Sequence, residues 1–322
     1  MKIALLFPGQ GSQKVGMGAD LTQAYPAARQ VFEEADEALG FALSRLCFEG
    51  PEEELRLTVN TQPATLATSI AALRAFESEM AISPAVAAGH SLGEYSALVA
   101  ARAFSLADAL RAVRARGQLM QEACPAGQGS MAALIGLDLE AAKELCAQAS
   151  SGGETVVPAN LNAPGQIVVS GHAGAVRRAL EAAKAGGAAA SVELKVSAPF
   201  HSPLMQPAQA GMEPVLDRIE VNPLAFGVIA NVTAEVNQDH TRVKPLLLAQ
   251  IAAPVRWEES MGTLARLGIE DAIEFGSGRV LMGLMRRINR GVKVHQADNP
   301  AAIAASLQAL AARAQAIAAQ PS

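Results

Sequence analysis

Apolar positions along this chain come in two rhythms, short unbroken runs and helical stripes. KIALLF at residues 2 to 7 is unbroken after its lysine and predicts a buried strand, stopped by the turn PGQG. AVAAGH at residues 85 to 90 is a second such run. Between them, TQPATLATSIAALRAFESEM places Leu66, Ile70, Leu73 and Phe76 at the spacing of one helix face. LGEYSALVAARA then predicts a small-residue helix ending near Phe104, and Ser105 with Asp108 caps the next one. From residue 130 the rhythm changes: GSMAALIGL alternates, DLEAAKELCAQA is helical, ETVVPANLNA and GQIVVSG are strands around a Pro164-Gly165 turn, AGAVRRALEAAKA is helical and AASVELKVS is a strand. This β-α-β-β-α-β order over residues 130 to 197 is the split, ferredoxin-like arrangement. It predicts an inserted subdomain, because FGVIANV, IEDAIEFGSG and VKVHQAD resume buried strands among helices beyond it.

Composition narrows the class without changing that picture. The 322 residues are 50% apolar and 18% charged, a globular balance that suits one large domain, two smaller ones or a unit with an insertion. Cys47, Cys124 and Cys146 are odd in number and widely spaced, so they read as buried small hydrophobes in a reducing compartment, not as disulfides or a metal site. The N-terminal apolar run is shorter than the ~7 to 15 residues of a signal-peptide core. Gln308, Arg313 and Gln315 interrupt the alanine-rich tail before it reaches the ~18 apolar residues of a membrane span. A cytoplasmic protein is expected. A net charge of -5 argues against nucleic acid as the main partner. Locally, Arg279, Arg286, Arg287, Arg290 and Lys293 cluster, which suits either a solvated helix face or a dock for an acidic partner or phosphate tail.

The chemistry concentrates at GHSLGEYSA, residues 89 to 97. A strand, then G-x-S-x-G, then a helix is the context of a nucleophile elbow, in which a strained turn presents Ser91 and the flanking Gly89 and Gly93 let strand and helix cross closely. The Leu92 N–H then points at a developing oxyanion from a helix N-terminus. A serine hydroxyl needs a base. His90 sits at the strand end, with its side chain expected to face away from Ser91, while His172, His240 and His295 read as surface or structural. His201, in KVSAPFHSPLM, lies between prolines where the inserted subdomain returns to the main one, so it is either the base or a turn-stabilising loop histidine. Gln10, between glycines in PGQGSQ, either offers a second oxyanion N–H or belongs to a plain tight loop; the segment lacks both the dinucleotide and the P-loop spacing. On a helical wheel, Leu106, Leu110, Val113, Gly117 and Met120 form a buried stripe bordered by Arg116, with Arg111 on the solvated side. A guanidinium there calls for a carboxylate, from substrate or from protein.

FPGQGSQ, TQPA, GHSLGEYSA, RGQLMQ, GSMAA, NLNAPGQIVVSG, SAPFHS and EFGSGRVL together resemble the malonyl-CoA:acyl carrier protein transacylases of type II fatty acid synthesis, from Phe7 to about Ile288. The resemblance implies an α/β-hydrolase-like core (residues 1 to 124 and 199 to 322) with an inserted ferredoxin-like subdomain (125 to 198). It implies Ser91 as acylated nucleophile, His201 as base, and the Gln10 and Leu92 amides as oxyanion hole. Gln62 and Met131 would line the pocket, and Arg116 would bind the malonyl carboxylate. No acid is assigned behind the histidine; the main-chain carbonyl matching Gln250 would hold its tautomer instead. Asn160 and Asn162 match positions on the thioester or pantetheine side. Related methylmalonyl transferases resemble GHSQG at the elbow and carry a serine before the histidine, whereas Leu92 and Phe200 stand here, so malonyl is the expected extender. The implied partners are malonyl-CoA and an acidic, phosphopantetheinylated acyl carrier protein, with no metal or other cofactor, no nucleic acid and no membrane. A monomer is expected. Alternatives on the same scaffold are a malonyl transferase serving a polyketide or malonate decarboxylase carrier, a serine thioesterase and a non-catalytic carrier-binding protein.

Overall fold

The run at residues 3 to 7 has no polar face to turn outward, and it becomes the fully buried strand β1 (Ile3–Phe7) of a computed structural model that describes residues 2–194, 196 and 198–319. β1 pairs in parallel with β2 (Val86–Gly89), from Ala4 opposite Val86 to Phe7 opposite Gly89. Parallel strands covered by helices on both faces read as unbroken apolar runs, which is the pattern these segments show. β7 (Gly227–Ile229), β9 (Asp271–Glu274) and β10 (Lys293–Gln296) extend the parallel sheet, and β8 (Val236–Asn237) closes one edge antiparallel. The order is β10-β9-β1-β2-β7-β8. Because β1 and β2 are neighbours in register, their carboxyl ends deliver the Pro8–Gln10 turn and Ser91 to the same edge. Open α/β sheets bind ligands outside such strand ends.

The helix Thr58–Glu79 starts earlier than predicted and is buried on nearly every side, not only along Leu66, Ile70, Leu73 and Phe76. Its alanines, threonines and serines read as a polar face in sequence but are small enough for neighbouring helices to approach from all directions. The elbow helix Gly93–Ala100 stops short of Phe104, since Arg102 turns back at φ +62°. The next helix, Leu106–Glu122, begins as expected, with Ser105 accepting from the Asp108 N–H.

Residues 129 to 193 form a second sheet. β3 (Gly129–Ile135), β4 (Val156–Ala163), β5 (Gln166–His172) and β6 (Ala190–Glu193) are antiparallel in the order β4-β5-β3-β6, with helices Leu139–Ala149 and Ala173–Ala185 between them. This is the predicted split βαβ arrangement. Alternation along β3 sends Ala132 and Leu134 into a core with those helices, and Met131 toward the main core. β6 ends at Glu193, earlier than the predicted strand, whose Lys195 and Ser197 lie outside the described residues. Two bonds tie β4 of this second sheet to the segment between helices Val243–Ala252 and Trp257–Arg266 of the main part, Leu161 N–H to the Val255 carbonyl and Val255 N–H to the Ala159 carbonyl, both 2.9 Å. The fold is therefore an α/β-hydrolase-like core carrying an inserted ferredoxin-like subdomain.

The C-terminal helix Pro300–Ala318 differs from expectation. It is one continuous 19-residue helix, long and apolar enough by length and composition to cross a membrane, with Arg313 as its one charged residue. Arg313 pairs with Glu270 and Asp271, and Ser306 donates to the Gln296 carbonyl, tying the helix to the sheet edge. The three cysteines are buried and free.

Candidate active site

The G-x-S-x-G stretch forms a strained elbow. Ser91 sits in the left-handed region at φ +52°, a conformation costing on the order of 1–3 kcal/mol for a residue with a Cβ. The crossing of strand and helix explains the glycines. A Cβ on Gly89 would meet the Gly93 backbone at 1.9 Å, and one on Gly93 would stand 2.2 Å from the Phe7 carbonyl oxygen.

His201 is the second strained residue, at φ +57°, in a tight turn where Ser202 Oγ donates to the Pro199 carbonyl at 2.7 Å. Its Nε2 lies 2.7 Å from Ser91 Oγ, and its Nδ1 lies 2.9 Å from the Gln250 carbonyl oxygen. A carbonyl only accepts, so Nδ1 carries the proton and Nε2 is free to accept from Ser91. Burial, reinforced by the Arg116 charge, pulls the imidazole down to about 3, so its resting form is neutral.

Arg116 lies inside the buried stripe, not at its border, with 1% of its surface exposed. Its Nη1 donates to Gln62 Oε1 at 2.8 Å; its Nη2 donates to Gln250 Oε1 at 2.9 Å and to Ser91 Oγ at 3.1 Å. Nε has no partner. Among the described residues, no carboxylate lies within ion-pair distance of this guanidinium. The sequence left open a substrate or a protein acid. Among the described residues the protein supplies neutral oxygens to the guanidinium and no direct ion pair.

These groups face a cavity of about 240 Å³ whose walls include Gln10, Gln62, Leu92, Met131, Asn160, Asn162 and Phe200. The Gln10 and Leu92 backbone N–H groups donate to no protein acceptor among the described residues. The fold therefore brings Ser91, His201, Arg116 and these wall residues to one cavity, with Gln250 behind the wall.

The chain matches the acyl transferase domain family over residues 4–305. It is 50% identical to the malonyl CoA-acyl carrier protein transacylase of Bacillus subtilis over 309 residues, covering 96% of this chain and 97% of that one. The chain belongs to the malonyl CoA-acyl carrier protein transacylases. Among solved structures, the acyl-carrier-protein S-malonyltransferase of Bartonella henselae superposes with a TM-score of 0.94 at 46% identity, over 97% of this chain and 100% of that one. A malonyl-transacylase in complex with a type II PKS acyl-carrier protein gives 0.93 at 42% identity, over 96% and 100%.

Several parts of this transacylase site escape sequence reasoning. His90 does not turn away: it lines the same cavity, its Nε2 2.8 Å from Asn162 Oδ1 and its ring against Trp257. β2 ends at Gly89, so the strand alternation that predicted the opposite no longer applies at residue 90. Val280, Leu281 and Leu284 of the helix Val280–Ile288 form an apolar wall. Arg279, Arg286, Arg287, Arg290 and Lys293 of this region are all exposed, and none of them lines the cavity. Beneath the elbow lie Glu94 and Asn231, 3% and 1% exposed, for which no local pattern signalled a role.

Proposed function

We propose that this enzyme transfers the malonyl group from malonyl-CoA to the phosphopantetheine thiol of an acyl carrier protein through a malonyl ester on Ser91. The observation carrying this reading is the buried guanidinium of Arg116, 3.1 Å from the nucleophile oxygen and without an ion-pair partner among the described residues. A substrate bearing a carboxylate close to its reacting carbonyl satisfies both groups at once.

In the first step Ser91 Oγ bonds to the thioester carbon while its proton passes to His201 Nε2. The carbonyl electrons move onto oxygen, where the Gln10 and Leu92 N–H groups receive them. Collapse of this intermediate breaks the C–S bond, and His201 returns the proton to the departing CoA sulfur. In the second step the pantetheine thiol gives its proton to His201 as sulfur attacks the ester carbon; the bond to Ser91 Oγ breaks and the proton returns to that oxygen. Gln250 holds the imidazole tautomer through its carbonyl and Arg116 through its side chain. Gln62 orients Arg116, and Met131 and Phe200 fill the space around the short acyl chain. Asn160 and Asn162 face the pantetheine side.

The two substrates and this chain supply every atom and electron in these steps, so no metal or redox cofactor enters the scheme. All the groups come from one chain, and a monomer suffices. We assign residues 1–124 and 199–322 to the core and 125–198 to the subdomain, with the reaction in the cytoplasm serving fatty acid synthesis. The likeness to a transacylase bound to a PKS carrier supports polyketide carriers as a second class of acceptor.

Mass spectrometry after malonyl-CoA addition should show a malonyl increment on Ser91 that disappears on adding carrier protein, with the malonyl group recovered on the carrier thiol. Release to water at the same rate without carrier points instead to a thioesterase.

A further inference from the structure

The two reacting residues hold unfavourable backbone angles, φ +52° at Ser91 and +57° at His201, and no regular ladder of hydrogen bonds maintains them. Asn231, just after β7, is placed to do so at the elbow. Its Oδ1 accepts from the Ser91 N–H at 2.7 Å, and its Nδ2 donates to the Gly89 carbonyl at 2.7 Å, so one side-chain amide bridges both ends of the strained turn. The Ser91 N–H is thereby engaged, whereas the Gln10 and Leu92 N–H groups have no protein acceptor among the described residues.

Glu94 joins this clamp to the base. Its Oε2 accepts from the Asn231 backbone N–H at 3.0 Å and from Gln250 Nε2 at 2.8 Å, while Gln250 Nε2 also donates to the Ser91 carbonyl at 3.0 Å. The carbonyl of that same Gln250 receives His201 Nδ1. An unbroken path therefore runs from Ser91 through Asn231, Glu94 and Gln250 to His201. A carboxylate in the first turn of a helix ordinarily serves the helix's own amides, yet both of these donors come from outside it. Burial of such a group is costly, and it drives the Glu94 carboxyl up to about 7.

We propose that Glu94 and Asn231 are positioning residues for acyl transfer: their shared hydrogen bond couples the Ser91 elbow to the Gln250 segment and fixes nucleophile and base in one register. Neither touches the acyl group. Displacements near 1 Å in such a pair cost on the order of 100-fold in rate. This inference rests on Ser91 and His201 being nucleophile and base; a malonyl increment on wild-type Ser91, absent in Ser91→Ala and His201→Ala, tests that reading separately.

The experiment compares Glu94→Gln, Glu94→Ala and Asn231→Ala in the full chain, each checked by circular dichroism and thermal unfolding. The glutamine carboxamide keeps an oxygen for both donors, so Glu94→Gln should hold kcat within about 3-fold of wild type. The two alanine variants should lose about 10- to 100-fold in kcat with the KM for malonyl-CoA changed less than 3-fold. Reaction of Ser91 with a small sulfonyl fluoride, which needs no carboxylate anchor, should slow in parallel. Wild-type kcat in folded alanine variants, a loss confined to KM, or a Glu94→Gln enzyme as slow as Glu94→Ala overturns the proposal. Where alanine prevents folding, Asn231→Asp keeps an acceptor for the Ser91 N–H but sets a charge against Glu94, and adding Glu94→Gln should restore several-fold of its kcat. No restoration overturns it as well.

Discussion

Replacing Arg116 with alanine separates substrate selection from general architecture. In the resting enzyme the guanidinium donates to the oxygens of Gln62, Gln250 and Ser91 and, among the described residues, has no carboxylate within ion-pair distance. A malonyl carboxylate entering the cavity of Arg116→Ala is therefore buried without a counter-ion, a loss of about 3–5 kcal/mol. At ~1.36 kcal/mol per power of ten, kcat/KM for malonyl-CoA should fall by roughly two to four powers of ten. Acetyl-CoA carries no carboxylate. It suffers only from the loss of the neutral contacts to Gln62, Gln250 and Ser91, so its transfer should change by about 10-fold or less. Arg116→Lys keeps the charge but not the planar fork, and should fall between wild type and alanine. The assay is single-turnover acylation of Ser91 followed by mass, with malonyl-CoA and acetyl-CoA in parallel. Equal losses for both substrates would falsify the selection argument and leave Arg116 as a support for the two glutamines.

Further consequences follow from the same geometry. Gly93→Ala places a methyl 2.2 Å from the Phe7 carbonyl oxygen and should destabilise by more than ~3 kcal/mol, whereas Gly283→Ala, helical with open space around it, should stabilise by ~0.5–1 kcal/mol; thermal unfolding of the pair checks the contrast. Phe200→Ser opens space beside His201 and should admit methylmalonyl-CoA, and unchanged discrimination in competition assays removes the steric explanation. The pH dependence of malonyl transfer also has a defined sign. A lowered His201 value means that the base remains unprotonated to lower pH, so the acid limb of kcat/KM should lie well below 6.5 and move upward in Arg116→Ala, which deletes the second cause of the lowering. An acid limb at 6.5 or above in wild type contradicts the burial of the imidazole.

The parts of this molecule that could be read from sequence are those whose cause is local. The inserted subdomain is legible because period-two and helical stripes succeed one another in an order that only a split βαβ unit explains, and the sheet order β4-β5-β3-β6 follows. The elbow is legible because two glycines flank a serine between strand and helix, and the Cβ clashes at Gly89 and Gly93 give the reason. Arg116 was legible only as a helix position: the wheel placed it beside the core stripe, but its partners, Gln62 and Gln250, come from other segments. Asn231 and Glu94 lay beyond reach for the same reason. The bonds that tie them to the elbow and to each other, and Glu94 to Gln250, join residues 137 to 156 positions apart, and no residue type or spacing around either one announces them.

That division has a physical logic which bears on how the site works without a third acid. In a hydrolase triad a carboxylate both orients the histidine and stabilises the imidazolium. Here the two tasks are separated. Orientation falls to a neutral carbonyl at Gln250, and the nearby carboxylate, Glu94, lies under the elbow, where it acts electrostatically on Arg116. The positive charge of Arg116 in turn opposes protonation of His201. On the proposed reading, a malonyl carboxylate docking on Arg116 would cancel that opposition, so that the substrate's own charge would strengthen the base that acts on it. Water or an uncharged acyl group brings no such charge. On that reading the arrangement would favour the dicarboxylate twice, once in binding and again in the proton transfer to His201 Nε2.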